Sequence, residues 1–211
     1  MVKTRLVALT QDELLTLLKV ARADNKRHHG LLLVSALHGL RASEAVILTT
    51  ENFRDGFLSV SRLKGSNATN QPLLSNSNQL LNERAVIGEI LRETAPGALI
   101  CPSEWQERDS DRPLTRHGLI YLMQKYGQLA GIPAHKHHPH VLKHYCGRRM
   151  TDAGVSIDRI QKWLGHRSIT STAAYQQGTD EDAAKATQEV FGSKSNDKRI
   201  YARKWKLREP W

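Results

Sequence analysis

Apolar residues recur at spacings of three and four along most of this chain, and the first such run has a clear start. Thr10 and Glu13 form the Thr-x-x-Glu pattern of a capping box, which marks the beginning of a helix. The apolar residues after it, among them Leu14 and Leu18, lie on one face of that predicted helix. Gly39 closes a second apolar run, LLLVSALHG, and RASEAVIL directly after it predicts that a helix restarts.

The segment NFRDGFLSVSRL has a different pattern, which is typical of paired strands. Asp55 and Gly56 stand between two runs rich in β-forming residues, and Asp-Gly in that position is a strong signal for a tight hairpin turn. The loop KGSNATN follows, and QPLL predicts a third short strand. A small three-stranded antiparallel sheet is therefore expected.

Beyond residue 76 the pattern predicts helices throughout. One helix is expected over SNQLLNERAVIGEILRE, and another begins on a Thr cap in TRHGLIYLMQKYGQLAG. The next predicted helix carries HVLKHYCGRR, with Pro139 near its start and Gly154 past its end. Ser156 is the predicted cap of SIDRIQKWLG, SITSTAAYQQG adds a helical turn or two, and DEDAAKATQEVF is the last amphipathic helix.

These elements predict an α+β fold that is mainly helical, with residues 1–192 as one domain and 193–211 as a tail. A chain of 211 residues is long enough to bury a sizeable core. No apolar run approaches the roughly 20 residues that span a bilayer, and the apolar stretch at the start of the chain is too short for a secretory signal. Cys101 and Cys146 give no disulfide framework. We therefore expect a cytoplasmic protein.

The formal net charge of +10 favours a polyanionic partner, most commonly nucleic acid. Half of the excess lies in the tail 193–211, where seven Lys and Arg residues stand against two acidic residues. Lys204 and Lys206 flank Trp205 there, and basic residues beside aromatic ones can contact phosphates and stack on bases. DNA binding by this tail and a flexible, solvated tail stay open as alternatives.

Four separated segments fit one pattern. They are HGLRASEAVIL at 38–48, RLKG at 62–65, HVLKH at 140–144 and LGHRSITSTAAYQ at 164–176. Together they resemble the motifs of the tyrosine recombinases, the phage-integrase family of DNA strand-exchange enzymes. That family shows a G-x-R-x-x-E turn, a Lys in the hairpin loop, an H-x-x-R-H helix, and a nucleophilic Tyr nine residues beyond an L-G-H segment. Here Tyr175 follows His166 by nine residues, and the resemblance extends over roughly residues 8–191.

The resemblance implies site-specific DNA recombination by tyrosine-mediated strand cleavage and rejoining, through a 3′-phosphotyrosine bond and without ATP or a metal cofactor. Tyr175 would be the nucleophile, and Arg41 would bind two phosphate oxygens with its planar guanidinium. His140 is implied as the base, Lys64 as the acid for the 5′-hydroxyl leaving group, and His166 as a hydrogen-bond donor to the phosphate. A tyrosine packed in the core and a solvated hairpin lysine are the plainer interpretations of two of these residues.

Lys143 stands where the family carries its second Arg, three residues after His140. It still lies on the same helix face as His140, but an ammonium supplies charge without the bidentate fork. The expected cost is on the order of 1–3 kcal/mol in the transition state, so the enzyme is predicted to be attenuated or compensated elsewhere. Glu44 and His144 are predicted to orient neighbouring groups. Arg148 and Arg149 are predicted to contact the DNA backbone or to be solvated.

A zinc site is the alternative interpretation of the same histidine-rich stretch. His140 and His144 are spaced by four residues with Cys146 close by, and three further histidines precede them at positions 135, 137 and 138. The tract lacks an established ligand pattern such as H-E-x-x-H, so no metal site is predicted. His135, His137 and His138 are instead expected to form a loop near DNA.

The predicted partners are double-stranded DNA and further copies of the chain, assembled as a tetramer at a paired site. Arg41 comes so early that we expect no separate core-binding domain before it, which resembles the short fimbrial phase-variation recombinases. Two other functions stay open: an attenuated DNA-binding regulator of the same fold, suggested by Lys143, and a type IB topoisomerase, which uses related chemistry without synapsis.

Overall fold

The elements follow one another as short helices interrupted by a single small sheet. The computed structural model describes residues 6–62, 66–103 and 112–175. Within these ranges the α-helices are α1 Gln11–Asp24, α2 Lys26–His38, α3 Ala42–Ala45, α4 Glu83–Arg92, α5 Arg116–Leu129, α6 His140–Asp152, α7 Ile157–Trp163 and α8 Thr170–Ala173. The strands are β1 Phe53–Arg54, β2 Phe57–Val60 and β3 Thr69–Pro72, with 3-10 turns at Thr50–Asn52 and Ala134–Lys136.

The start of the chain folds as its caps predict. Thr10 accepts a hydrogen bond from the Glu13 amide at 3.1 Å, and its own amide donates to the Glu13 carboxylate at 2.7 Å. The predicted capping box is therefore confirmed. Gly39 ends α2 with φ of 59°, in the left-handed region where a side chain would be strained. This turn directs the chain from α2 straight into the segment that begins with Arg41.

The predicted three-stranded antiparallel sheet is also confirmed. Its order is β1-β2-β3, with Phe53 opposite Leu58 in the first pair. Asp55 and Gly56 form the turn with φ of 52° and 78°, the positive values that a tight hairpin requires. The third strand, Thr69–Pro72, begins two residues before the predicted QPLL segment.

Two helix predictions were too long. The segment RASEAVIL forms only the four-residue helix α3, and the helix expected from residue 76 begins at Glu83. The side chains of Asn76 and Asn78 accept hydrogen bonds from the amides of Asn78 and Leu80, so turns replace helix before Asn82 caps α4. The expectation of continuous helix was also wrong for residues 93–103, which contain none.

Helix α2 lies at the centre of the core. Leu31, Leu32, Leu33 and Val34 have no exposed surface, so the helix is buried on every side rather than along one stripe. Helices α1, α4 and α6 pack against it. The helix with the HVLKH motif is therefore fixed against the core, and its motif side chains are positioned by a rigid element.

The chain divides into two units, of which Met1–Gln176 is the first. The predicted last helix and the tail 193–211, with Lys204 and Lys206, lie outside the described residues. None of the described helices has the length and apolar character needed to cross a membrane.

A buried arginine connects the sheet to the loop after α2. Arg62 donates to the Glu44 carboxylate at 3.0 Å, to the His38 carbonyl at 3.0 Å and to the Gly39 carbonyl at 3.3 Å. Neither the Arg62 nor the Glu44 side chain has exposed surface. Burial alone would raise the pKa of Glu44, but the Arg41 amide and the Arg62 charge lower it, so the carboxylate is ionised. A buried ion pair of this kind is sensitive to the loss of either partner.

A second buried polar cluster lies beside it. His38 Nε2 is 2.6 Å from the Glu83 carboxylate, and its Nδ1 is 3.1 Å from the Gln71 side-chain oxygen. The Gln71 amide donates to the Trp163 carbonyl at 2.8 Å, and the Trp163 ring stacks on His38. Helices α2, α4 and α7 and strand β3 are thereby connected, which fixes the elements around the turn at Gly39.

Replacing Arg62 by Met should therefore destabilise the protein strongly. The change removes one cation from the buried Glu44 carboxylate, a loss that typically costs about 3–5 kcal/mol of unfolding free energy. Urea denaturation of Arg62→Met and of Arg54→Met measures the effect. Arg54 is the matched control, because its side chain is 73% exposed. Equal unfolding midpoints for the two variants would contradict the structural role of Arg62.

Candidate active site

Arg41 lies at the start of α3, and hydrogen bonds hold one side of its guanidinium in place. Its Nη1 donates to Glu44 Oε1 at 3.0 Å and to Ser66 Oγ at 2.8 Å, and its amide donates to Glu44 Oε2 at 2.8 Å. The Arg41 side chain is partly exposed, whereas Glu44 is buried. The guanidinium is thus anchored by one carboxylate and still faces solvent, as a residue that binds an incoming anion should.

Lys143 reaches the same place from α6. Its ammonium donates to the Gly39 carbonyl at 3.1 Å, the carbonyl that also accepts from Arg62. Burial, together with the charges of Arg41 and Arg62, lowers the pKa of Lys143 to about 8, although the Glu44 carboxylate opposes this. Because several cations share one buried carboxylate, a bound anion would stabilise the cluster.

Tyr175 packs against the middle of α6. Its hydroxyl is 3.2 Å from His144 Nδ1, and its ring stacks on His166 with 6.4 Å between centroids. The ring approaches α6 at Gly147, where a Cβ atom would lie 2.7 Å from Tyr175 Cε1 and Cζ. Burial raises the pKa of Tyr175, so its phenol is protonated at neutral pH and needs a base to become a nucleophile.

A row of imidazoles leads along α6 to this hydroxyl. Successive ring centroids are 6.4 Å apart for His138 and His140, 6.3 Å for His140 and His144, and 5.9 Å for His144 and Tyr175. Burial and the neighbouring His138 and Arg116 lower the pKa of His140. Burial, His140 and His138 lower the pKa of His144 to about 4. At neutral pH the His140 and His144 rings are therefore uncharged and can accept a proton.

His166 closes the opposite side of the site. Its Nδ1 is 2.9 Å from the Thr172 hydroxyl, and burial with the charges of Lys143 and Arg41 lowers its pKa to about 4. The His166 backbone forms an isolated β-bridge with Ser66. Lys64 lies outside the described residues, but Arg62 and Ser66 on either side of it are both at this site.

The structure thus brings together most of the residues that the sequence predicts, namely Arg41, Glu44, His140, Lys143, His144, His166 and Tyr175. Arg148 forms an ion pair with Asp152 at 2.8 Å on the outer surface of α6. Arg149 instead lines a groove of about 440 Å³ with Tyr145 and Trp163. These two arginines are therefore separate from the cluster around Lys143.

Sequence reasoning missed the role of Arg62. Its signal is the alternation along the second strand, where Leu58 and Val60 are buried and Ser59 and Ser61 are exposed. Arg62 continues the buried face by the two-residue period of a strand. An arginine at such a position needs a buried carboxylate, and Glu44 is the acidic residue that the motif supplies.

Residues 6–62, 66–103 and 112–175 contain no ligand set for the zinc site considered as an alternative. No group of three or more His, Cys, Asp or Glu side chains in these ranges is placed to hold a metal ion. Cys146 donates to the Leu37 carbonyl, and burial raises the pKa of its thiol to about 12. His137 bonds the Ile132 carbonyl at 2.7 Å. These groups therefore serve packing and hydrogen bonding within the fold.

Comparison with known proteins identifies the family of this chain. The model of the phage integrase family matches residues 8–182. The chain is 33% identical over 172 residues to the type 1 fimbriae regulatory protein FimB of Escherichia coli K12, covering 79% of this chain and 82% of FimB. It is 32% identical over 183 residues to the tyrosine recombinase XerA of Pyrococcus furiosus, covering 84% of this chain and 59% of XerA.

The chain belongs to the phage integrase family. Solved structures show the same fold: XerA recombinase matches with a TM-score of 0.71 and 21% identity over 90% of this chain and 67% of its own. The XerH recombinase bound to its difH substrate matches with a TM-score of 0.64 and 18% identity, over 89% of this chain and 55% of its own. The predicted mainly helical catalytic fold of a tyrosine recombinase is confirmed.

Replacing Gly147 by Ala tests whether the close approach of Tyr175 to α6 matters. The added methyl group would displace the Tyr175 ring, while alanine should favour the helix by up to about 1 kcal/mol. We expect unchanged or higher thermal stability and a large loss of covalent protein–DNA adduct. Gly88→Ala on α4 is the matched control, because only the end of the Arg92 side chain lies near its added methyl group, at 3.8 Å. Equal adduct yields from the two variants would contradict this placement of Tyr175.

Proposed function

We propose that this protein carries out site-specific recombination of double-stranded DNA by cutting and rejoining strands through a 3′-phosphotyrosine bond. The observation that carries the proposal is the placement of the Tyr175 hydroxyl on His144, in one site with the cations Arg41 and Lys143. A nucleophile, an imidazole and fixed cations are the groups that phosphoryl transfer to a tyrosine requires.

The cations have a direct task in that reaction. Attack of the phenol oxygen on phosphorus gives a pentacoordinate state, with negative charge spread over the non-bridging oxygens. Arg41 can donate two hydrogen bonds to those oxygens, and Lys143 contributes a point charge from a buried position. Fixed charges in a water-excluded site stabilise such a state better than mobile solvent does. The phosphotyrosine bond conserves the phosphodiester bond energy for rejoining.

The DNA partner is supported by charge and by shape. The chain carries a net charge of +10, and a groove of about 420 Å³ opens beside His140, lined in part by Arg116, His135 and His138. Phosphate contacts from such groups supply much of the affinity of DNA-binding proteins. We infer further contacts from Arg148, Arg149 and the tail 193–211, which contains Lys204 and Lys206. Four copies at a paired site would form the recombining complex.

A regulator with weak catalysis is the second candidate. Lys143 replaces the bidentate guanidinium of the family with a single ammonium, and its lowered pKa reduces its charge near pH 8. The FimB relative is itself named a regulatory protein. Such a protein would bind its DNA site tightly but form covalent adduct slowly.

Trapping the covalent adduct tests the proposed function. On cleavage, a nicked duplex from the DNA that flanks the gene releases the short fragment that carries the 5′-hydroxyl, so rejoining is prevented and the adduct accumulates. We expect wild-type protein to give an adduct that withstands denaturing electrophoresis, and Tyr175→Phe to give none because the attacking hydroxyl is lost. Tight binding to this duplex without adduct would favour the regulator.

Replacing Lys143 by Arg should raise the cleavage rate, most strongly at alkaline pH. The ammonium is charged below its pKa of about 8 and loses charge above it, whereas a guanidinium stays charged. A bound phosphate favours the charged form, so the fall in the wild-type rate should begin somewhat above pH 8. We expect about a tenfold or greater gain at pH 7, from recovery of the second phosphate bond.

Single-turnover cleavage rates between pH 6 and 10 measure this effect. Lys143→Met is the control, because it keeps much of the length but has no charge, and it should be slow at every pH. A rate for Lys143→Arg that equals or falls below wild type across the whole range would show that Lys143 does not attenuate the enzyme.

A further inference from the structure

We propose that His144, and not His140, is the catalytic base that takes the proton from Tyr175. The inference rests on the proposed function, because it assigns a role within the same strand-cleavage step. The family resemblance implies His140 for this task and leaves His144 as an orienting neighbour. The geometry of α6 points to the opposite assignment.

His144 is in direct contact with the Tyr175 hydroxyl. His144 Nδ1 lies 3.2 Å from the Tyr175 hydroxyl, within the range over which a base can take a proton directly. The His140 ring is one step farther along the row, with its centroid 6.3 Å from that of His144. Among the residues that the structure describes, His144 is the side chain that hydrogen-bonds the Tyr175 hydroxyl.

The contact between His144 and Tyr175 is fixed by the residues around it. Gly147 admits the Tyr175 ring to the surface of α6 one turn beyond His144, and the His166 ring stacks on the Tyr175 ring. His144 is held on the same helix, directly after Lys143. The base is therefore fixed by a helix that packs on the core, and the Tyr175 ring is positioned by its contacts with Gly147 and His166, which favours a defined proton path.

The charge state of His144 agrees with this role. Burial and the neighbouring His140, His138 and Lys143 keep its pKa near 4, so the imidazole is neutral and able to accept a proton at pH 7. The ε-protonated tautomer leaves Nδ1 free as the acceptor. A phosphodiester anion bound at Arg41 and Lys143 would raise the basicity of the ring, because it offsets the nearby positive charge.

The proton that His144 takes from Tyr175 during cleavage is returned to Tyr175 during rejoining. In cleavage, the Tyr175 oxygen bonds to phosphorus, its O–H bond breaks, and the proton moves to His144 Nδ1. The bond from phosphorus to the 5′ oxygen breaks, and that oxygen takes a proton from a separate acid, Lys64 by resemblance. In rejoining, the 5′-hydroxyl attacks phosphorus and returns its proton to Lys64. His144 then returns its proton to the departing Tyr175 oxygen.

The decisive variants are His144→Asn and His144→Ala. The asparagine side-chain oxygen can accept the Tyr175 hydrogen bond near the position of Nδ1, but it cannot take the proton. A base role therefore predicts that both variants form adduct about 10²–10⁴-fold more slowly, with asparagine giving no rescue. Added imidazole should restore part of the rate of His144→Ala. If His144 only holds Tyr175 in place, His144→Asn should form adduct at nearly the wild-type rate. That result would overturn the inference.

A duplex with sulfur in place of the bridging 5′ oxygen separates the base from the acid. A thiolate leaves without a proton, so loss of an acid is rescued on this substrate and loss of the base is not. We expect His144→Asn to stay slow with sulfur, and recovery to the wild-type rate would overturn the assignment. His117→Asn on the exposed start of α5 is the matched control and should cleave like wild type.

The remaining outcomes distinguish this inference from the proposed function. If His140→Asn is slow on the sulfur substrate while His144→Asn matches wild type, the base is His140 and the inference alone fails. If wild-type protein gives no adduct, or Tyr175→Phe still gives one, the proposed function fails and the inference falls with it.

Discussion

The buried carboxylate of Glu44 is the interaction on which the active site depends. One oxygen accepts from the Arg41 guanidinium, and the other accepts from the Arg41 amide and the Arg62 guanidinium. The first arginine is thereby turned toward solvent, and the second is fixed against the carbonyls at the end of α2. Burying this carboxylate without its cations would lower the free energy of unfolding by roughly several kcal/mol. Glu44, Arg41 and Arg62 therefore stabilise the fold as one charged unit.

Lys143 adds a further cation beside that unit, and it is held there by a backbone carbonyl. Its ammonium shares the Gly39 carbonyl with Arg62, so two cations are held close together by one neutral acceptor. Their repulsion and their burial favour loss of a proton from the lysine, the only one of these groups that can lose it near neutral pH. A phosphodiester supplies the missing negative charge. Anion binding and protonation of Lys143 are therefore coupled, and each favours the other.

The sequence predicts what depends on nearby residues and fails where distant residues decide. The capping box at Thr10, the turn at Asp55 and the end of α2 at Gly39 each follow from local rules and are found in the structure. The early start predicted for α4 is an exception with a local cause, because Asn76 and Asn78 bond the backbone in turns that the apolar periodicity does not show. Burial of Arg62 depends on Glu44, eighteen residues away, and no local rule specifies that pairing.

The histidine that contacts Tyr175, the proposed nucleophile, could not be identified from the motif alone. A spacing of nine residues from His166 selects Tyr175, but two histidines four residues apart on α6 are equally placed by the helical period. Gly147 distinguishes His144 from His140, because the Tyr175 ring can approach α6 only where a side chain is missing. That point is one turn from His144. A glycine that weakens the helix by about 1 kcal/mol is thus the feature that determines which imidazole meets the phenol.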